Sequence, residues 1–158
     1  VYLALSSEVK VGVTRKTQMP TRWIDQGAEE AIVVVEVPNR YLAGITEVAL
    51  KNHFADKTNW RKMLTNTYDA VDLVQEKAKV QAWLPDEVRE FYNLDKNEII
   101  AMHYPVAAYP AKVNSLNLDK TPFYQGQLIG VKGQYLLFQD GTVFNVRSYE
   151  GYVVQIAI

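Results

Sequence analysis

Two β-rich runs at the start of the chain, residues 2–5 and 9–14, are separated only by Ser6, Ser7 and Glu8. So short a connection reads as a hairpin, because a parallel crossover needs a dozen residues or more. The second run alternates, with Val9, Val11 and Val13 on one face and Lys10, Gly12 and Thr14 on the other. Residues 31–37 form a nearly continuous β-branched run, which predicts a central strand covered on both faces and stopped by Pro38. Between them, Pro20 suits the first turn of a short helix through Asp25, ended by Gly27. Asn39 is a suitable N-cap for a longer helix reaching to about Phe54. Leu42, Ile45, Ala49 and Leu50 form its apolar stripe, and Glu47 lies off that stripe. Residues 56–60 read as a turn into another short helix, 60–64, with Thr58 or Asn59 as its cap.

The character then changes twice. Residues 69–83 and 85–92 predict two polar helical stretches whose mixed charge suits a solvated face. Beyond Asn97, β-like runs at 99–104, 126–131, 135–139, 142–147 and 152–158 alternate with glycine-containing turns, and Asp140-Gly141 is the clearest hairpin signal. Their spacing favours a small antiparallel sheet or barrel. The expected fold class is α+β, in three parts: an α/β module over 1–68, a helical connector over 69–95 and a β-rich module over 96–158.

The chain has 158 residues and no cysteine, which excludes disulfides, thiolate chemistry and a Cys-type zinc site within it. No apolar run approaches the roughly 18–20 residues of a membrane span, and the start does not read as a signal peptide, so a cytoplasmic protein is expected. A net charge of −1 argues against a coat for polyanions. The balance is uneven, however. Nine basic and seven acidic residues lie up to Tyr68, against eight basic and eleven acidic beyond it, so attraction to nucleic acid is expected in the first part.

Four side chains there could serve phosphodiester hydrolysis: the phenol of Tyr2, the ammonium of Lys10, the guanidinium of Arg22 and the carboxylate of Glu47. A carboxylate suits a hard cation such as Mg²⁺ or Mn²⁺. A guanidinium can stabilise charge developing on phosphate, and a phenol can relay a proton if cations pull its pKa down. Taken singly, each has an ordinary structural role as well. Tyr2 can pack a sheet face, Lys10 can protect an edge strand, Arg22 can lie over Trp23, and Glu47 can pair with Lys51. Gly12 can serve a close backbone approach and Asn59 a helix cap. Arg15 and Lys16 could touch a phosphate backbone or simply line a solvated loop. His53 and His103 have no metal-ligating neighbour at suitable spacing and are assigned to no metal. The aromatics of the tail could stack bases, although core packing accounts for most of them.

In order along the chain, Val1-Tyr2, Lys10-Val11-Gly12, Arg22, Glu47 and Asn59 resemble the GIY-YIG nuclease superfamily. The resemblance implies a small three-stranded sheet with flanking helices. It matches Tyr2 to the first-motif tyrosine, Gly12 to the second-motif glycine, Arg22 to the helix arginine, Glu47 to the metal-binding glutamate and Asn59 to the asparagine after that helix. Lys10 stands where the second tyrosine is usual, Gln26 where some homing-type members carry histidine, and the first glycine would precede Val1. The stretches Tyr2–Ser7, Lys10–Arg15, Pro20–Ala28, Asp56–Leu64 and Gly130–Leu136 are also similar to an uncharacterised bacterial family with a Cys-rich, zinc-binding type of segment upstream. A start inside a strand fits missing upstream sequence. The resemblance implies a metal-dependent endonuclease acting on DNA or RNA. Tyr2 would be the general base, Lys10 would favour the phenolate or touch phosphate, Arg22 would stabilise the pentavalent phosphate, Glu47 would bind Mg²⁺ or Mn²⁺, and Asn59 would support the site. The alternative is a catalytically silent module binding nucleic acid or a protein partner, with the β-rich tail as docking surface.

Overall fold

The hairpin forms where the short connection places it. In the computed structural model, which describes residues 1–55 and 57–157, β1 (Tyr2–Leu5) pairs antiparallel with β2 (Val9–Gly12). Tyr2 lies opposite Gly12, and Ala4 opposite Lys10. Strand β3 (Glu30–Val33) takes the other side of β1, and β4 (Ile99–Ala101) pairs with β3, giving an antiparallel sheet in the order β2-β1-β3-β4. The expected three-stranded sheet is thus present with a fourth strand added. That strand comes from the run grouped by sequence with the tail, and it satisfies the edge of β3 that would otherwise stay unpaired. The run 31–37 is shorter as a strand than expected, and beyond Val33 only an isolated bridge joins Val35 to Tyr92.

The period of two divides this sheet into unlike faces. Leu3, Leu5 and Ile32 point to a core completed by α2 (Arg40–Leu50) and α4 (Leu73–Val80), through Leu50, Leu73 and Val80. Tyr2, Ala4 and Ala31 point the other way, against Trp23 of α1 (Thr21–Asp25) and against Ala28 and Met102. Small side chains at 4, 28 and 31 leave room for the indole, whose ring meets Tyr2 edge-on at 5.6 Å. Asn39 caps α2 by accepting from the Leu42 amide at 2.9 Å, as its position implies, but the helix ends at Leu50 rather than near Phe54. The polar stretch 69–83 differs from a solvated helix. Asp72 caps α4, Leu73, Lys77 and Val80 are buried, and a 3₁₀ turn comes next over Gln81–Trp83. Residues 85–92 form a 3₁₀ helix, Asp86–Phe91, in place of an α-helix.

A second sheet contains β5 (Asn114–Ser115), β6 (Leu128–Lys132), β7 (Tyr135–Phe138) and β8 (Thr142–Asn145), in the order β5-β8-β7-β6. It is an open sheet and not a barrel. Nor is it purely antiparallel, since β5 reaches β8 by a long connection and lies parallel to it. The Asp140-Gly141 turn is the hairpin expected. Gly141 adopts φ +83°, and the Asp140 carboxylate accepts from the Thr142 amide. Residues 152–157 are exposed and form no strand, while Asp56 and Ile158 of the expected turn and last run lie outside the described residues. Met63 and Leu64 of α3 (Trp60–Leu64) join Val113, Leu137 and Val143 in one cluster, so a helix from the first half helps to build the second core. No helix among the described residues is long and apolar enough to cross a membrane.

Lys132, fully buried on β6, ties the two sheets together. Its ammonium pairs with the Glu29 carboxylate, donates to Asn66 Oδ1 at 3.0 Å, and faces the rings of Tyr104 and Tyr109 at 5.4 and 4.9 Å. Truncating one member of a buried pair leaves the other charge uncompensated. Lys132→Ala is therefore expected to cost about 3 kcal/mol by urea denaturation, and Lys132→Met less than Lys132→Ala because it refills the space.

Candidate functional site

The close approach of two strands positions the phenol of Tyr2. A Cβ at Gly12 would stand 2.5 Å from Tyr2 Oη and 2.6 Å from Cζ, so only glycine lets the ring cross β2. The ring is buried, and its oxygen accepts from Gln26 Nε2 at 2.8 Å. Gln26 lies four residues after Arg22, just past the end of α1, so the two reach the same phenol. Burial pushes the Tyr2 pKa up, while the Gln26 donor and the Arg22 charge pull it down and the Glu47 charge adds to the rise. The net direction is upward, opposite to that of a pre-ionised phenol base.

Lys10 lies on the same hairpin face, two residues along from Gly12. Its ammonium donates to Thr58 Oγ1 at 2.7 Å, and that hydroxyl lies 3.2 Å from the Oγ of buried Ser6. Burial lowers the Lys10 pKa, and the Arg22 charge lowers it further. Glu47 projects from α2 beside the buried stripe Ala43, Thr46 and Leu50. It is half-buried, and its carboxylate has no hydrogen bond or ion pair among the described residues.

These groups meet. Tyr2, Lys10, Arg22 and Glu47 all line one solvent-open cavity of about 450 Å³. Asp25 and Gln26 from the end of α1, and Thr58, Trp60 and Met63 from the segment entering α3, continue its wall. The opposite wall belongs to the second sheet and its flanks: Tyr135 of β7 and Asn145 of β8, with Gln134 in the turn before β7 and Arg147 in the 3₁₀ turn after β8. Three cations, Lys10, Arg22 and Arg147, thus share the cavity with two carboxylates, Asp25 and Glu47. No group of three or more His, Cys, Asp or Glu among the described residues could hold a metal by itself. A carboxylate unpaired among the described residues, such as Glu47, suits Mg²⁺, which takes one or two protein carboxylates and completes its shell from water and phosphate oxygens.

Asn59, Arg15 and Lys16 lie elsewhere. Asn59 does not line the cavity. Its side chain caps α3 at the Lys62 amide and its own amide donates to Ser7 Oγ at 2.9 Å, which places it in support of the loop carrying Thr58 and Trp60. Lys16 pairs with Glu36 at 2.8 Å on the exposed surface, and Arg15 precedes it there. Sequence reasoning missed Thr58, Asp25 and the four residues of the second sheet, and assigned no role to Gln26. Gln26 had a local signal, its four-residue spacing from Arg22, and Thr58 adjoins Asn59. Gln134, Tyr135, Asn145 and Arg147 carry no local signal of a place in the cavity wall, because only tertiary packing brings them there.

Residues 1–154 match the model of a family described as a protein of unknown function, DUF2797, and the chain belongs to that family. No curated protein and no solved structure matches it significantly.

Two changes test the geometry around the phenol. Gly12→Ala forces a Cβ into the ring of Tyr2 and is expected to destabilise the protein by about 1–3 kcal/mol in denaturant unfolding. Gln26→Leu removes a donor that favours the phenolate, so the Tyr2 pKa should rise further above its ordinary value. Carbon-13 NMR of labelled tyrosine rings reads that titration, and a fall or no change would contradict the arrangement.

Proposed function

We propose that this member of the DUF2797 family is a metal-dependent nuclease of GIY-YIG type, hydrolysing phosphodiester bonds in DNA or RNA. The observation that carries the reading is the meeting of Tyr2, Lys10, Arg22 and Glu47, far apart in sequence, in one open cavity. A phosphodiester brought there would find Arg22 and Lys10 to hold its oxygens and offset the charge that grows on the pentavalent phosphate. Glu47 would hold Mg²⁺ or Mn²⁺; a bound cation of this kind polarises the phosphoryl oxygens and lowers the pKa of water.

Tyr2 takes a narrower role than that of a ready-made base. Its oxygen already accepts from Gln26, and burial keeps the hydroxyl proton on at neutral pH. Such a phenol can orient an attacking water or donate to a phosphate oxygen. Lys10, tied to Thr58, serves as a fixed positive charge in the place where the resemblance would put a second tyrosine.

The upward-shifted phenol also favours a second reading, a catalytically silent module that uses the same cations to bind nucleic acid. One assay separates the two. Labelled DNA and RNA are incubated with Mg²⁺ or Mn²⁺ and with an EDTA control. The nuclease predicts metal-dependent cleavage that Glu47→Gln reduces by about 100-fold or more. Cleavage that survives Glu47→Gln would remove the assignment of Glu47. Salt-sensitive binding with no cleavage would support the silent module.

A further inference from the structure

The second sheet is more than a support for the cavity. Gln134, Tyr135, Asn145 and Arg147 present polar and aromatic groups to the same space as the proposed reactive residues, from the opposite wall. Asn145 spends its carbonyl oxygen on the Ser148 amide at 3.2 Å, which leaves its side-chain nitrogen as a free donor. Neither Arg147 nor the Gln134 side chain has a partner among the described residues. Tyr135 lies nearly parallel to Trp60, with ring centroids 5.9 Å apart, and both rings belong to the cavity wall. A guanidinium and two amide donors beside aromatic surface suit a nucleotide: charge for phosphate, donors for a base edge or sugar, and a ring for stacking.

Resting on the nuclease reading, we propose that this wall is a second nucleotide subsite, in which Arg147 holds the phosphate next to the scissile one and the substrate is an unpaired strand. Two features support that choice. Arg22 and Arg147 line one cavity from different parts of the chain, so a strand carrying successive phosphates finds a cation for each of two of them. An open concavity of about 450 Å³ is in the range that takes one nucleotide unit of a strand, with the rest of the chain running out to solvent.

The test measures binding by fluorescence anisotropy in Ca²⁺, with the full chain. Probes are a single-stranded ten-nucleotide DNA and RNA, the matching duplexes, and a labelled nucleoside monophosphate. The wild-type protein should prefer the single strands. Arg147→Ala should weaken their binding about 10-fold and lower the salt slope by about 0.7, the share of one phosphate contact on a single strand, with the monophosphate unaffected. Gln134→Ala should weaken the strand by a smaller factor. Arg147 is exposed, so its removal leaves folding intact, and circular dichroism verifies that. Strand binding unchanged by Arg147→Ala, or binding of duplex alone, would overturn the subsite and leave the nuclease reading standing. No binding of any nucleic acid by the wild-type protein would overturn both.

Discussion

A cavity walled by two sheets lasts only while the sheets stay docked, and a buried ammonium is the polar centre of that docking, beside the apolar cluster of Met63, Leu64, Val113, Leu137 and Val143. Lys132 reaches from β6 to Glu29 and Asn66 in the first half of the chain, and the rings of Tyr104 and Tyr109 face it. Taking a lysine out of water is costly, and burial lowers its pKa for that reason while Glu29 pulls it back. An apolar contact would hold the sheets as firmly, but it would tolerate sliding. A charge with so few partners sets one register between the sheets, and with it the distance between Arg22 on one wall and Arg147 on the other. Gly133 beside it has the same strictness, since a Cβ there would lie 3.1 Å from the backbone of Asp25 and of Gly27.

Within the first sheet, tight packing and chemistry compete at Tyr2. The phenol is placed by a glycine that leaves no room for a side chain, and by an indole that closes its edge. The same closeness desolvates the hydroxyl and raises its pKa, so position comes at the expense of ionisation. Gln26 and Arg22 offset part of that rise. Lys10 shows the matching effect with opposite charge, burial lowering its pKa while Thr58 fixes its direction. Both groups are ordered before any ligand arrives, which reduces the reorganisation a charged substrate would require.

Legibility in the sequence tracks the range of the interaction. The hairpin, the caps at Asn39 and Asn59 and the Asp140-Gly141 turn rest on neighbours within a few residues, and the structure has them in place. The long β-branched run misled in length, because continuity of Val and Ile does not say where a partner strand ends. Residues 69–83 misled in burial: three apolar or aliphatic stems, Leu73, Lys77 and Val80, recur at helical spacing within a polar composition, and the stripe outweighs the average. At the site, Tyr2, Lys10, Arg22 and Glu47 could be named from their order along the chain. Arg147 could not, because nothing local distinguishes it from any exposed arginine. Its place is set by the end of β8 and by the docking of a sheet whose Lys132 meets Glu29 across 103 residues of sequence.

Both readings put a phosphodiester in this cavity, so where one binds tests the claim they share. A crystal structure of the Glu47→Gln protein with Mg²⁺ and a short single-stranded oligonucleotide answers this most directly. The expected result is a phosphate between Arg22 and Lys10, within hydrogen-bonding reach of the Tyr2 hydroxyl, and the next one beside Arg147. A strand bound on any other face of the protein, with the cavity holding only water, would contradict it.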